Sequence, residues 1–179
     1  MAVDEKTMVP TVIVGIGGTG NEVIARVRRA IEEVYGSLKA FPVVSFLSID
    51  TDKDYQVSNP SAAGSTLKDN EKYHATVKGI EADAILQNMG NYPWIEAWFP
   101  KELEKNVTAL EAGAGQIRGC GRFAFFYNYP GIEKTFTQAC NRAKGHEQFM
   151  LNNYDVKVKP TAMNVFVGGS LSGGTGSGM

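Results

Sequence analysis

Thr11-Val-Ile-Val-Gly-Ile16 runs directly into Gly17-Gly-Thr-Gly-Asn21, and the fold turns on that junction. The first half is a β-branched, apolar run without polar alternation, the pattern of a strand buried on both faces of a parallel sheet. After the glycines, Val23, Ile24, Val27, Ala30, Ile31 and Val34 recur at helical spacing, and Gly36 closes the helix. Val43-Val-Ser-Phe-Leu-Ser-Ile49 is a second buried strand that ends at Asp50. Strand, glycine turn, helix and strand make a βαβ unit, whose two strands run parallel. The expected fold class is α/β, a Rossmann-like, mainly parallel sheet with flanking helices.

Further along, Thr51 to about Asn70 is rich in Ser, Asn, Asp, Gly and Pro and reads as a loop. Residues 71–110 read as short helices carrying Trp94, Trp98 and Phe99, an aromatic group better suited to a core than to an exposed partner surface. Two more helices are expected at 116–129 and 132–144. The second carries Ile132, Phe136, Ala139 and Ala143 on one face, and Gly145 stops it. Met163-Asn-Val-Phe-Val167 is a further buried strand, and it leads into a glycine-rich stretch at 168–178.

The composition removes several functions. Net charge is −1 over 179 residues, so no nucleic-acid partner is expected, because backbone phosphate binding needs clustered Lys and Arg. Arg26, Arg28 and Arg29 read as the solvated face of a helix. Cys120 and Cys140 lack the spacing of a zinc site and suit free thiols in a reducing compartment. The polar N-terminus is no signal peptide, and no apolar run approaches a membrane span. A cytoplasmic protein is expected.

The 20 glycines cluster at 15–20, 113–121 and 168–178. Gly15, Gly17 and Gly20 satisfy G-x-G-x-x-G, with Asp50 at the end of the next strand, the pattern of a dinucleotide-binding unit. An NAD(P)-binding oxidoreductase domain is therefore one reading. A Walker P-loop is excluded, since no Gly-Lys-Ser/Thr occurs. Ser170-Leu-Ser-Gly-Gly-Thr-Gly-Ser-Gly178 is a second candidate phosphate loop. Successive N–H groups there form an anion-binding concavity, and Thr175 and Ser177 add hydroxyls. Two such loops at strand C-termini share one sheet edge and suit a polyphosphate. The third cluster, Glu111-Ala-Gly-Ala-Gly-Gln-Ile-Arg118, also precedes a helix, and Arg118 or Arg122 is placed to add charge. Asp50, Asp52 and Asp54 open like a calcium loop, but Tyr55 and Ser61 stand where Gly and Glu are needed. His74 and His146 are isolated.

Ser172-Gly-Gly-Thr-Gly-Ser-Gly178 resembles the tubulin signature Gly-Gly-Gly-Thr-Gly-Ser-Gly and is similar to its FtsZ counterpart. The order of parts matches as well: the first glycine loop, a strand ending in Asp50-Thr-Asp52, Gly113-Ala-Gly-Gln-Ile-Arg118, then the signature. These segments are similar to those of the bacterial tubulin-like family. Residues 55–110 fall outside the likeness and resemble a helical insertion.

The resemblance implies the N-terminal half of a GTPase domain that binds GTP or GDP with Mg²⁺ and self-associates head to tail into filaments. It implies that Gly17, Gly18, Thr19, Gly20 and Asn21 wrap the inner phosphates and approach the nucleoside. Asp50 and Asp52 lie near the phosphates and the Mg²⁺. Ala114, Gly115 and Gln116 face the γ-phosphate, and Gly173, Gly174, Thr175, Gly176 and Ser177 cradle the phosphates. Ser172 departs from the family's first glycine. Base recognition and the hydrolysing acids belong to segments after the signature, so this stretch alone is expected to be inactive. A non-hydrolysing nucleotide-dependent scaffold, recruiting partners through Trp94–Phe99, is the remaining alternative.

Overall fold

The computed structural model describes residues 6–54, 67–107, 110 and 113–179. The middle of the expected polar loop, residues 55–66, and the start of the third glycine cluster, Glu111 and Ala112, lie outside them. The elements in chain order are β1 (Thr7–Met8), β2 (Thr11–Ile16), α1 (Gly17–Tyr35), β3 (Val44–Asp50) and β4 (Lys72–His74). They continue with α2 (Gly79–Gln87), α3 (Pro93–Glu96), α4 (Glu104–Val107), α5 (Arg118–Ala143) and α6 (Glu147–Tyr154). Last come β5 (Lys157–Val158), β6 (Asn164–Gly169) and α7 (Gly174–Gly178). Four strands form one parallel sheet in the order β4-β3-β2-β6, as the α/β reading expects. A separate parallel pair joins β1 and β5.

Alternation along the strands divides the packing between two layers of helix. Val12, Val14, Leu47 and Ile49 share one face of the sheet and are buried with Ile132 and Ala139 of α5. Ile13, Gly15, Phe46, Ser48 and Asp50 share the other face. There α1 approaches so closely that a Cβ on Gly15 would meet the Gly20 carbonyl. The inward stripe of α1 is Gly17, Gly20, Asn21, Ile24, Ala25 and Arg28, at the three- and four-residue spacing of a helix face.

Arg28 corrects an expectation. It is not part of a solvated face but only 4% exposed, lying over the Phe46 ring and paired with Glu71. Its position one turn after Ile24 puts it on the core stripe. A buried guanidinium is tolerated there because Glu71, itself buried, supplies the counter-charge.

Three elements also differ from the reading of the sequence. Lys72–His74, expected to be helical, is a short edge strand that pairs in parallel with the end of β3. The helices expected at 116–129 and 132–144 are one helix, which runs through Pro130. Proline removes one N–H from the ladder. Packing on both sides of it, through Phe123, Ala124, Ile132 and Ala139, holds the helix together. The strand at 164–169 is not buried: Val165, Phe166 and Val167 are 44%, 59% and 63% exposed. It lies at the sheet's edge, and α5 packs over β2 and β3 rather than over it.

The aromatic group at 94–99 divides. Trp98 and Phe99 pack on a cluster built from Val77, Ile85, Ile95 and Phe123, whereas Trp94 is 52% exposed. No described helix is long and apolar enough to cross a membrane.

Candidate functional site

The C-terminal end of β3 sends neighbouring side chains to opposite sides, and this alternation organises the site. Ser48 and Asp50 face α1. Ser48 donates its hydroxyl to Asn21 Oδ1 at 2.5 Å, and Asn21 Nδ2 donates to Asp50 Oδ2 at 2.9 Å. The backbone N–H of Asp52 donates to Asp50 Oδ1 at 3.2 Å, an Asx turn that bends the chain away from the sheet. Burial pushes the Asp50 carboxyl above its ordinary value, and the N–H groups of Asp52 and Thr51 act against that shift.

Thr51 points the other way and is 1% exposed. Its hydroxyl oxygen accepts the N–H of Ala114 at 2.9 Å and lies 2.6 Å from the hydroxyl of Thr175. The N–H of Gly174 donates to the carbonyl of Gly115 at 2.9 Å. The second and third glycine segments are thus bonded to each other and to the end of β3. The first segment meets them from the far side. Gly17, with φ +69°, turns the chain from β2 into α1, and a Cβ there would lie 3.2 Å from the Gly176 nitrogen. Only a residue without a side chain suits that turn and that approach.

Together these segments enclose a crevice of about 100 Å³, lined by residues 16–19, Gly115, Ser170 and residues 173–176. That is well below the roughly 300 Å³ at which pockets begin to enclose a whole small ligand, so the described residues fit a phosphate chain rather than a complete nucleotide. Two larger cavities, of about 350 and 340 Å³, lie beside Asp83 and Glu104 and beside Tyr35 and Tyr154. Neither touches a glycine segment.

The structure distributes the expected site residues unevenly. Gly17, Gly18, Thr19, Gly115, Gly173, Gly174, Thr175 and Gly176 line the crevice. Gly20 packs against the Gly168 carbonyl instead, and Asn21 and Asp50 are buried in their own hydrogen bonds. Ala114 is buried, and Gln116 is exposed in the turn beside it. Ser177 donates its hydroxyl to the Gly173 carbonyl. The glycines expected to form a loop at 17–20 are the first turn of α1, so the N–H groups of that turn lack helical partners and open on the crevice.

Thr51 and Ile16 stand outside the residues that the sequence assigns to the site, and Ser170, the first residue of the second candidate loop, joins the lining. The signal for Thr51 was available: it follows Asp50, so a strand that aims Asp50 at α1 aims Thr51 at the other loops.

Among the described residues, no basic side chain lines the crevice. Arg122 stacks its guanidinium 4.3 Å from the Trp98 ring centre, which ties it to the 94–99 segment. Countering an anion therefore falls to backbone N–H groups, hydroxyls and a cation. No cluster of three His, Cys, Asp or Glu occurs among the described residues. Magnesium does not require one, since it keeps several waters and takes one or two carboxylates plus phosphate oxygens. The half-buried Asp52, whose Cβ lies near Gly113, does not line the crevice, and its Oδ1 accepts the Asp54 N–H at 2.9 Å, which leaves Oδ2 for that limited role; both oxygens of Asp50 already accept hydrogen bonds.

Comparison with known proteins gives three findings. The family model described as tubulin like matches residues 12–179. No curated protein matches the chain. Among solved structures, CetZ2 from Haloferax volcanii, described as a GTPγS-bound protofilament, is similar over 94% of this chain at 15% identity and a TM-score of 0.48. The chain spans about a third of that structure's length, 32%.

Proposed function

The chain belongs to the tubulin-like family, matched over residues 12–179, and on that premise we propose that its crevice binds the phosphates of a guanine nucleotide within a self-assembling GTPase. The observation that carries this reading is the convergence of three glycine segments on one crevice, two of them bonded to each other and the first in close approach through Gly17 and Gly176. A dinucleotide fold needs one phosphate loop. Here Gly17 of the first loop abuts Gly176 of another, an arrangement suited to a chain of phosphates.

The first turn of α1, at Gly17–Thr19, takes the inner phosphates, because the start of a long helix offers unpaired N–H groups and a favourable dipole to an anion. Residues 173–177 flank the phosphate chain, and Ala114–Gln116 take its outer end. Asn21 and Asp50 act as the frame that holds α1 to β3. When bound, Mg²⁺ supplies the positive charge that the crevice lacks, with Asp52 beside it. The whole protein associates head to tail, and such heterologous contacts extend into filaments unless they close.

The test titrates GTP and NAD against the full-length protein and then follows phosphate release over a concentration series. The reading expects GTP to bind, NAD not to, and turnover per molecule to rise with protein concentration as subunits meet. The 179-residue stretch alone is expected to hydrolyse no GTP. NAD binding in place of GTP would return the site to the oxidoreductase reading. GTP binding without turnover at any concentration would leave the scaffold.

A further inference from the structure

We propose that Thr51 is a positioning residue that sets how strongly the crevice prefers a nucleoside triphosphate to a diphosphate. The inference rests on the phosphate-binding reading above and assigns to that site a residue that the glycine motifs do not contain.

Thr51 follows the last residue of β3 and is almost wholly buried, so its side chain has a fixed origin. A hydroxyl has one proton and two lone pairs. One lone pair of Thr51 accepts from Ala114 N–H, which leaves its proton for the Thr175 hydroxyl 2.6 Å away. Thr175 lines the crevice. When Thr51 donates to it, Thr175 keeps its own proton to offer to an oxygen in the crevice. In the opposite direction, Thr175 would turn lone pairs towards an anion. A phosphate therefore selects one direction of the chain, from Ala114 N–H through Thr51 to Thr175 and on to the ligand.

That direction links occupancy of the crevice to the loop at 113–116. Residues 173–176 meet both other segments that line the crevice: Gly176 and Thr175 lie against Gly17, and Gly174 lies against Ala114 and Gly115. A diphosphate that contacts the first two segments need not reach Gly115, whereas a third phosphate extends towards it. Beyond the turn bonds within its own segment, Gly115 is tied to the rest of the site by two bonds: Gly174 N–H to the Gly115 carbonyl, and Ala114 N–H to the Thr51 hydroxyl. Removing the Thr51 hydroxyl releases the second bond and leaves a buried N–H without a partner. The loss falls on the end of the site that only the triphosphate uses.

The experiment measures GTPγS and GDP affinities by calorimetric titration of the full-length protein and its Thr51→Val and Thr51→Ser variants. Valine keeps the shape and deletes the hydroxyl; serine keeps the hydroxyl. The expected result is a roughly tenfold fall in the GTPγS-to-GDP affinity ratio for Thr51→Val, the scale of one buried hydrogen bond, and a change of at most about twofold for Thr51→Ser. An unchanged ratio in Thr51→Val, even if both affinities fall together, overturns the inference and leaves the proposed function standing. A Thr51→Ser variant that loses the preference also overturns it. If the wild type binds neither nucleotide, the proposed function falls and takes this inference with it. A readout in the wild type needs no variant to fold: the Ala114 amide should be protected from hydrogen exchange in the GTPγS complex. Exchange there at the rate of a free peptide would overturn the inference.

Discussion

Gly174 gives its N–H to the carbonyl of Gly115 at 2.9 Å, and the two backbones are so close that a Cβ on Gly174 would lie 2.6 Å from that same oxygen. The Ala114 carbonyl would be equally near. Backbone atoms cannot swing aside as a side chain can, so the join between these two segments depends on glycine at 174.

Gly174→Ala is therefore expected to destabilise the protein by about 1–3 kcal/mol, the usual cost of forcing extra volume into a tight contact. A Cβ on Gly173 meets nothing within 4 Å, so Gly173→Ala should leave stability within about 0.5 kcal/mol. Urea unfolding of both variants checks the pair. Equal stability for the two would mean that the close approach at Gly174 is absent in solution.

The buried pair of Arg28 and Glu71 makes a second prediction. Glu71→Leu leaves the buried guanidinium with only the more exposed Glu32, 3.4 Å from its Nε, and should cost about 2–4 kcal/mol, whereas Arg28→Met with Glu71→Leu should recover most of that loss. A double-mutant cycle in urea measures the coupling. A near-zero coupling would return Arg28 to the solvated face that the sequence suggested.

At Gly131 two effects have opposite signs. Alanine is the better helix former by about 1 kcal/mol. However, its Cβ would overlap the ring of Tyr73, whose hydroxyl donates to Asn128 Oδ1 at 3.1 Å. Gly131→Ala should thus destabilise, and in a Tyr73→Ala background the same substitution should become stabilising. Thermal melts of the variants read the sign directly.

Asp50 supplies a pH dependence. Burial raises its folded pKa above the ordinary 3.8, so the folded state holds this proton more tightly than the unfolded chain does. Its stabilising contribution is complete below 3.8 and is lost as pH rises through the folded pKa. Relative to Asp50→Asn, which cannot ionise, the wild type should lose stability over that window and then level off. Unfolding both proteins across a pH series tests this, and a difference that runs the other way would mean that the N–H donors outweigh burial.

How much of this was legible beforehand follows from the range over which each feature is decided. β2, α1 and β3 are written in local spacing: an apolar run, a helical stripe and glycines at the turn. The placement of three glycine segments at strand ends or helix starts could be read from their neighbours in the chain. The continuity of α5 through Pro130 could not, because Tyr73, Ile132 and Ala139 decide it by packing. Lys72–His74 has no strand pattern of its own and becomes one against the open edge of β3.

The sequence by itself determined that this chain builds a parallel α/β sheet with glycine segments at its strand ends and helix starts, since period and composition act between near neighbours. Only the tertiary structure decided which side chains serve the crevice. Asn21 and Asp50 went to each other, Arg28 to Glu71, and Thr51 to Ala114 and Thr175. A polar side chain is committed by whichever partner lies across the fold, because a buried donor or acceptor left unpaired costs more than any local preference supplies.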